Sequence, residues 1–188
     1  MNHSLSGGIL SGLILLMSCM GVSANTDVYL RLGVGIGQYD ASGDYPGRRG
    51  ETGFSEADFA GLLGLGVRYQ EQFTLEVSRL NLELLPFLDD VVYGVDGYAT
   101  RFLAGYQHPL NDWAHLGVQA GVMHWSIGVK PSIGRSTQQF TGSDPYYGAL
   151  LRLGSRRAGF LVGYDFSSFD GIDYKLGWLG LEVAFGGN

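Results

Sequence analysis

The chain has 188 residues, among them 31 Gly, 3 Trp, 11 Tyr, 10 Phe and a single Cys. Only 16% of residues are charged, and 12 Lys and Arg stand against 18 Asp and Glu, a net charge of -6. That acidity argues against a general nucleic-acid binder, and the 45% hydrophobic content argues against a disordered chain. One cysteine argues against internal disulfides and cysteine metal clusters. High glycine, high aromatic content and low charge together suit a short-stranded β protein in contact with lipid.

Residues 1–24 contain no acidic, basic or aromatic side chain other than His3. The apolar run Ile9–Met20 is shorter than the roughly 20 residues needed to span a bilayer. Val22-Ser23-Ala24 offers small residues at the positions a signal peptidase reads, so residues 1–24 are expected to be a cleaved secretory signal. Leu16-Met17-Ser18-Cys19 leaves lipidation at Cys19 as the alternative.

From Asn25 the pattern has period 2, the signature of strands rather than helices. The first strand presents Val28, Leu30, Leu32, Val34 and Ile36 on one face, and Tyr29, Arg31, Gly33, Gly35 and Gly37 on the other. The second sets Phe59, Leu63, Leu65, Val67 and Tyr69 against Ala60, Leu62, Gly64, Gly66 and Arg68. The third sets Phe73, Leu75 and Val77 against Thr74, Glu76 and Ser78; its phase then puts Arg79 on the apolar face. A bulge near Arg79 is expected to restore Leu80, Leu82 and Leu84 to that face. Five further strands follow. They centre on Tyr98–Tyr106, Ala114–Met123, Tyr146–Leu153, Phe160–Phe166 and Leu176–Phe185. They add Arg101, Arg152, Asp165 and Glu182 to the second face.

The first face is uncharged, and the second is mostly Gly and Arg with large apolar residues interspersed. Glycine weakens a strand and gains nothing at a water-facing surface, but it fits a cramped barrel interior. The apolar face is therefore expected to meet lipid. Arg31, Arg68, Glu76, Arg101, Arg152, Asp165 and Glu182 are expected to pair inside, with Glu76 opposite Arg68 across the Gln70–Gln72 turn. Connections alternate short and long, and aromatics collect at strand ends, as in outer-membrane barrels. Tyr69, Phe73, Tyr106, Phe160 and Phe185 would form one girdle, and Phe59, Tyr98, Tyr147 and Phe166 the other. The predicted fold is an all-β, eight-stranded antiparallel up-and-down transmembrane β-barrel over residues 25–188.

The chain resembles the small eight-stranded outer-membrane barrels of Gram-negative bacteria, the OmpA-like and OmpX-like transmembrane domains. The resemblance rests on strand number, on the Gly64-Leu-Gly-Val-Arg-Tyr69 run with Phe73-Thr-Leu-Glu-Val77 after a tight turn, and on the last strand. Gly180, Val183 and Phe185 are similar to the signal read by the barrel-assembly machinery, although Gly186-Gly187-Asn188 follow the aromatic. The resemblance implies residence in the outer membrane. It also implies outer-membrane lipid, lipopolysaccharide and the assembly machinery as partners, and no cofactor.

Other features carry weaker chemistry. His124-Trp125-Ser126 is similar to the His-x-Ser of lipid A deacylase barrels, but Ile127 stands where that family has Asn, and parity turns His124 and Ser126 outward together. Arg48, Arg49, Lys130 and Arg135 fall in predicted outer loops within reach of lipopolysaccharide phosphates. Asp89, Asp90 and Asp96 there are read as solvated rather than metal-binding, and no metal or catalytic residue is assigned. Gly33-x-Gly35-x-Gly37 lies in a strand with no helix after it, so it is not a phosphate loop. The expected function is a non-enzymatic outer-membrane barrel with a filled lumen and interacting outer loops. A lipid A-modifying enzyme and a soluble periplasmic ligand-binding barrel are the alternatives.

Overall fold

A computed structural model of the chain describes residues 25–41, 54–81, 95–129, 138–169 and 172–186. The leader (1–24) and the charged loop positions Arg48, Arg49, Asp89, Asp90, Lys130 and Arg135 lie outside the described residues. The described chain forms β1 (Thr26–Ala41), β2 (Phe54–Tyr69), β3 (Phe73–Asn81), β4 (Val95–Asn111), β5 (Ala114–Val129), β6 (Gln138–Gly154), β7 (Ala158–Phe169) and β8 (Ile172–Gly186). Each strand pairs antiparallel with its sequence neighbour, and β8 returns to β1, closing the barrel. Closure removes both exposed edges, which otherwise template aggregation.

The register defines the shape. One row of directly opposed residues runs Ser143, His124, Thr100, Arg79, Leu63, Leu32, Leu181, Phe160, and arrives back on β6 at Leu153, ten residues from its start. A stagger of ten over eight strands inclines them by roughly 40° to the barrel axis, given the usual strand rise and spacing. Each residue then climbs about 2.5 Å along the axis, so the outward positions from Tyr69 to Phe59 span roughly 25 Å, the height of an outer-membrane apolar band.

The short connections Gln70–Gln72, Asp112–Trp113 and Ser155–Arg157 gather at one end with Asn25, the turn end. The β1–β2, β3–β4, β5–β6 and β7–β8 connections leave from the other, the loop end. In the first turn Gln70 and Glu71 both have positive φ, 52° and 61°. This is the left-handed pair a type I′ turn requires, here built without the usual Asn-Gly. The Gln72 N–H closes the turn on the Tyr69 carbonyl at 3.1 Å.

β3 carries no bulge. Its pairing with β2 runs unbroken to Asn81, so Arg79 stays outward, and Leu80 turns inward and is fully buried. Burying a leucine contributes about 1.5–3 kcal/mol, and the outward arginine, whose backbone lies between the midplane and the loop-end edge of the apolar band, lowers its cost by carrying its guanidinium up to the Tyr98 ring. The regular register therefore prevails over the expected bulge. Leu82 and Leu84 lie outside the described residues. The fifth and sixth strands run beyond their predicted centres of Ala114–Met123 and Tyr146–Leu153, with β5 and β6 paired as far as Val129 and Gln138.

The outer wall is mainly apolar and aromatic between the two girdles. The expected turn-end girdle (Tyr69, Phe73, Tyr106, Phe160 and Phe185) is exposed, as is the loop-end set of Phe59, Tyr98, Tyr147 and Phe166. Trp113, in the second turn, adds an indole at the turn end.

Candidate functional site

The lumen is filled by two different materials. Toward the loop end, Tyr39, Leu80, Met123, Trp125, Tyr174 and Leu176 form a packed apolar cluster with their neighbours. The Tyr39 and Tyr174 rings lie 4.9 Å apart. Trp125 donates its indole N–H to Asp144 at 2.6 Å. This cluster closes the barrel with side chains in the way a soluble core is closed.

Below it lies a network of charges. Arg31, Arg68, Glu76, Arg101, Arg152, Asp165 and Glu182 are all buried, and Asp27 joins them. Glu182 is the hub. Its carboxylate accepts from Arg68 Nη1 at 2.6 Å, Arg152 Nε at 2.8 Å and Arg31 Nη2 at 3.0 Å. Glu76 is held by Arg31 Nη1 at 2.7 Å, lies 3.9 Å from Arg101 Nη2, and accepts from the Tyr29 hydroxyl at 3.2 Å. Asp165 accepts from Arg101 Nη1 at 3.2 Å, the Tyr146 hydroxyl at 2.8 Å and the Gln119 amide at 2.9 Å. The Tyr146 hydroxyl in turn accepts from Arg101 at 2.6 Å.

The expected Glu76–Arg68 pair does not form. Glu76 stands opposite Gly66 and Arg68 opposite Thr74, so the two are offset along the strands. Arg68 reaches Glu182 instead, and Asp27 at 3.7 Å. Asp27 and Arg156 escaped the sequence reading; one sits near the start of a strand and the other in a turn. Arg156 clasps Asp27 with Nε at 3.0 Å and Nη2 at 3.1 Å at the turn end. That hydrogen-bonded clasp, aided by the Asp27 charge, raises the Arg156 pKa above its already high ordinary value. With Asp27 counted, four buried carboxylates face four buried guanidiniums, so the interior is close to neutral. This is the condition under which buried charge is tolerated.

The glycines of the inner face make room for these groups. A Cβ at Gly148 would collide with the Asp165 carboxylate, and one at Gly163 with the Trp178 indole. Glycines likewise leave room for Glu76 at Gly64, Tyr29 at Gly66 and Arg152 at Gly159.

The other sequence candidates are dispersed. His124 is exposed on the outer wall, and its Nδ1 lies 2.7 Å from the Ser143 hydroxyl on the neighbouring strand. Ser126, expected to be exposed beside it, is buried, and its hydroxyl accepts from the Gln139 amide at 2.9 Å. Gly33, Gly35 and Gly37 are successive inner-face positions in β1, opposite Gly180, Trp178 and Leu176 of β8. In β8, Val183 and Phe185 face outward against Leu30 and Val28, while Gly180 faces inward, where a Cβ would meet the Leu32 carbonyl at 2.6 Å. Among the described residues no group of three His, Cys, Asp or Glu could hold a metal ion.

No protein-family model matches the sequence, and no curated protein matches it. Solved structures do match the fold. The crystal structure of Neisserial surface protein A (NspA) aligns with a TM-score of 0.62 at 13% identity, covering 87% of this chain and 98% of that one. Ail, the attachment invasion locus protein of Yersinia pestis, was solved in complex with the heparin analogue sucrose octasulfate. It aligns with a TM-score of 0.56 at 16% identity, covering 84% and 99%. The N-terminal β-barrel domain of Pseudomonas aeruginosa OprF gives 0.55 at 17% identity, covering 81% and 97%. An all-β closed barrel of eight antiparallel strands is the fold this chain shares with those small bacterial outer-membrane barrels.

Proposed function

We propose that the protein is an integral outer-membrane barrel of a Gram-negative cell, non-enzymatic, with a lumen closed to solutes and outer loops that engage envelope or host surfaces. The observation that carries this reading is the inversion of the barrel. Leu32, Val34, Leu63, Leu116, Val118 and Leu181 are more than half exposed on the outer wall, while the charges are inside. In water such a wall would be a very large apolar patch; in a bilayer it is solvated. The turn end then faces the periplasm and the loop end the cell exterior, as even-stranded barrels with short periplasmic turns require.

The non-enzymatic reading is supported by the outer-wall histidine. His124 has Ser143 as its hydrogen-bond partner, and no carboxylate among the described residues orients its ring. Hydrolytic machinery needs that third group. The surface role is supported by the basic loop residues Arg48, Arg49, Lys130 and Arg135. It is supported too by the likeness in fold to Ail, which was solved with a polyanionic sugar. Lipopolysaccharide and other anionic polysaccharides are the proposed partners.

The test has two arms. Membranes fractionated from expressing cells should hold the protein with the outer membrane, and cysteine at Ser42 should be labelled on intact cells while cysteine at Gln70 is not. Recovery as a soluble periplasmic protein, or labelling of Gln70 alone, refutes the orientation. In planar bilayers the folded barrel should give small or intermittent conductance; a steady porin-sized conductance refutes the closed lumen.

A further inference from the structure

Arg79 is the anomaly of the outer wall. It is exposed among apolar neighbours in β3, and no carboxylate among the described residues lies within ion-pair distance of it. Lys175, also in the outer wall, is by contrast neutralised by Asp40 at 2.9 Å. Arg79 is nonetheless held firmly. Its Nη1 donates to the Thr100 hydroxyl at 3.2 Å, and its guanidinium stacks 3.5 Å from the Tyr98 ring centre.

The register extends this into a row. Thr100 stands opposite both Arg79 and His124, and His124 opposite Ser143. Four consecutive strands thus place polar groups side by side where the apolar wall, with Phe102 and Val122 exposed on the turn-end side, gives way toward the loop end. If the Ser143 hydroxyl donates to Nδ1 of His124, the Nε2–H is left as an outward donor. Arg79 uses one N–H on Thr100, and the rest of its fork is free to take an anion. By the barrel geometry the Arg79 backbone lies roughly 8 Å below that of Tyr98 along the axis. Its side chain climbs to the Tyr98 ring, bringing the charge to the girdle level where headgroups begin.

We infer that Arg79, Thr100, His124 and Ser143, roofed by Tyr98, form a docking site on the outer wall for the phosphate of an anionic outer-leaflet lipid. The inference rests on the outer-membrane reading above. The occupant follows from charge and place. A preorganised, unpaired guanidinium beside a hydroxyl and an imidazole calls for an oxyanion, and the surrounding wall admits only a molecule that also carries acyl chains. A phosphorylated glycolipid meets both conditions.

The test uses the folded mature barrel in phosphatidylcholine vesicles doped with bisphosphorylated lipid A or its dephosphorylated form. Co-purified lipid is read by native mass spectrometry after gentle release. Wild type should retain bisphosphorylated lipid A about tenfold more than the dephosphorylated lipid, and R79L and R79Q should lose that preference. R157Q, at the turn end, should keep it. Retention unchanged in a folded R79L or R79Q barrel overturns the site, as does equal retention of the two lipids by wild type. Loss of the bound lipid in the presence of millimolar inorganic phosphate would reassign the site to free phosphate and overturn the lipid assignment. Failure of the wild type to insert at all, seen as the absence of a heat-modifiable band, would instead refute the outer-membrane reading. R79L makes the wall more apolar and is expected to insert at least as well as wild type.

Discussion

Replacing Glu182 with Gln should be the most damaging isosteric change in the lumen. The substitution keeps the volume, so no cavity term enters; what is lost is one charge shared by three buried guanidiniums. Arg31 would still have Glu76 at 2.7 Å and Arg68 would still have Asp27 at 3.7 Å, but Arg152 would be left with the carbonyls of Ser155 and Arg156. Breaking a buried pair from one side costs about 3–5 kcal/mol. E182Q, which strands one cation outright and weakens two, belongs near 5 kcal/mol. E76Q leaves both its arginines with another carboxylate, Glu182 for Arg31 and Asp165 for Arg101, and belongs near 3 kcal/mol. Urea-dependent folding into detergent micelles, followed by the heat-modifiable gel shift, measures both. Adding R152M to E182Q removes the stranded cation and should recover about 1–3 kcal/mol. A loss under about 1 kcal/mol for E182Q, or a greater loss for E76Q, would show that the network does not share charge as its geometry implies.

The first turn offers a gain instead. Gln70→Asn with Glu71→Gly supplies the residues its left-handed pair prefers and should stabilise the barrel by about 1 kcal/mol in the same assay, despite losing the exposed Glu71–Arg156 contact at 3.5 Å. A lower folding midpoint would mean that Gln70 and Glu71 carry contacts worth more than their strain. Phe185→Ala removes an outward ring next to Val28 and the aromatic of the assembly signal. It should slow appearance of the heat-modifiable band in cells, and unchanged kinetics would remove Phe185 from that role.

Period 2 in the sequence is enough to sort residues between wall and lumen, because side chains alternate without regard to what the neighbouring strand does. Arg101 and Asp165, in separate strands, follow parity to the same buried cluster. Partner choice is a different matter. Glu76 and Arg68 look close across a tight hairpin, yet Arg31 reaches over β2 to Glu76, and Glu182 reaches over β1 to Arg68, pairings between strands two apart in the closed sheet. No single strand or hairpin contains that information. Arg79 shows the converse error. Treated alone, an arginine on an apolar face suggests a bulge, but the fully buried Leu80 next to it ties β3 to its regular phase. Asp27, the second residue of β1, is in phase with Tyr29 and Arg31, so extending the alternation by one step places it inward, whereas periodicity is silent about Arg156 in its turn.

The length of the strands has a bearing on what the cell surface presents. β2, β5 and β6 hold 16, 16 and 17 residues, which at the barrel's tilt reach about 40 Å, against an apolar band of roughly 25 Å. The excess lies at the loop end, so the sheet continues outward as a rigid collar after the lipid has ended. In the outer membrane proposed above, a surface partner would therefore meet the strand ends about 10–15 Å beyond the lipid, among the inner sugars rather than at the lipid surface.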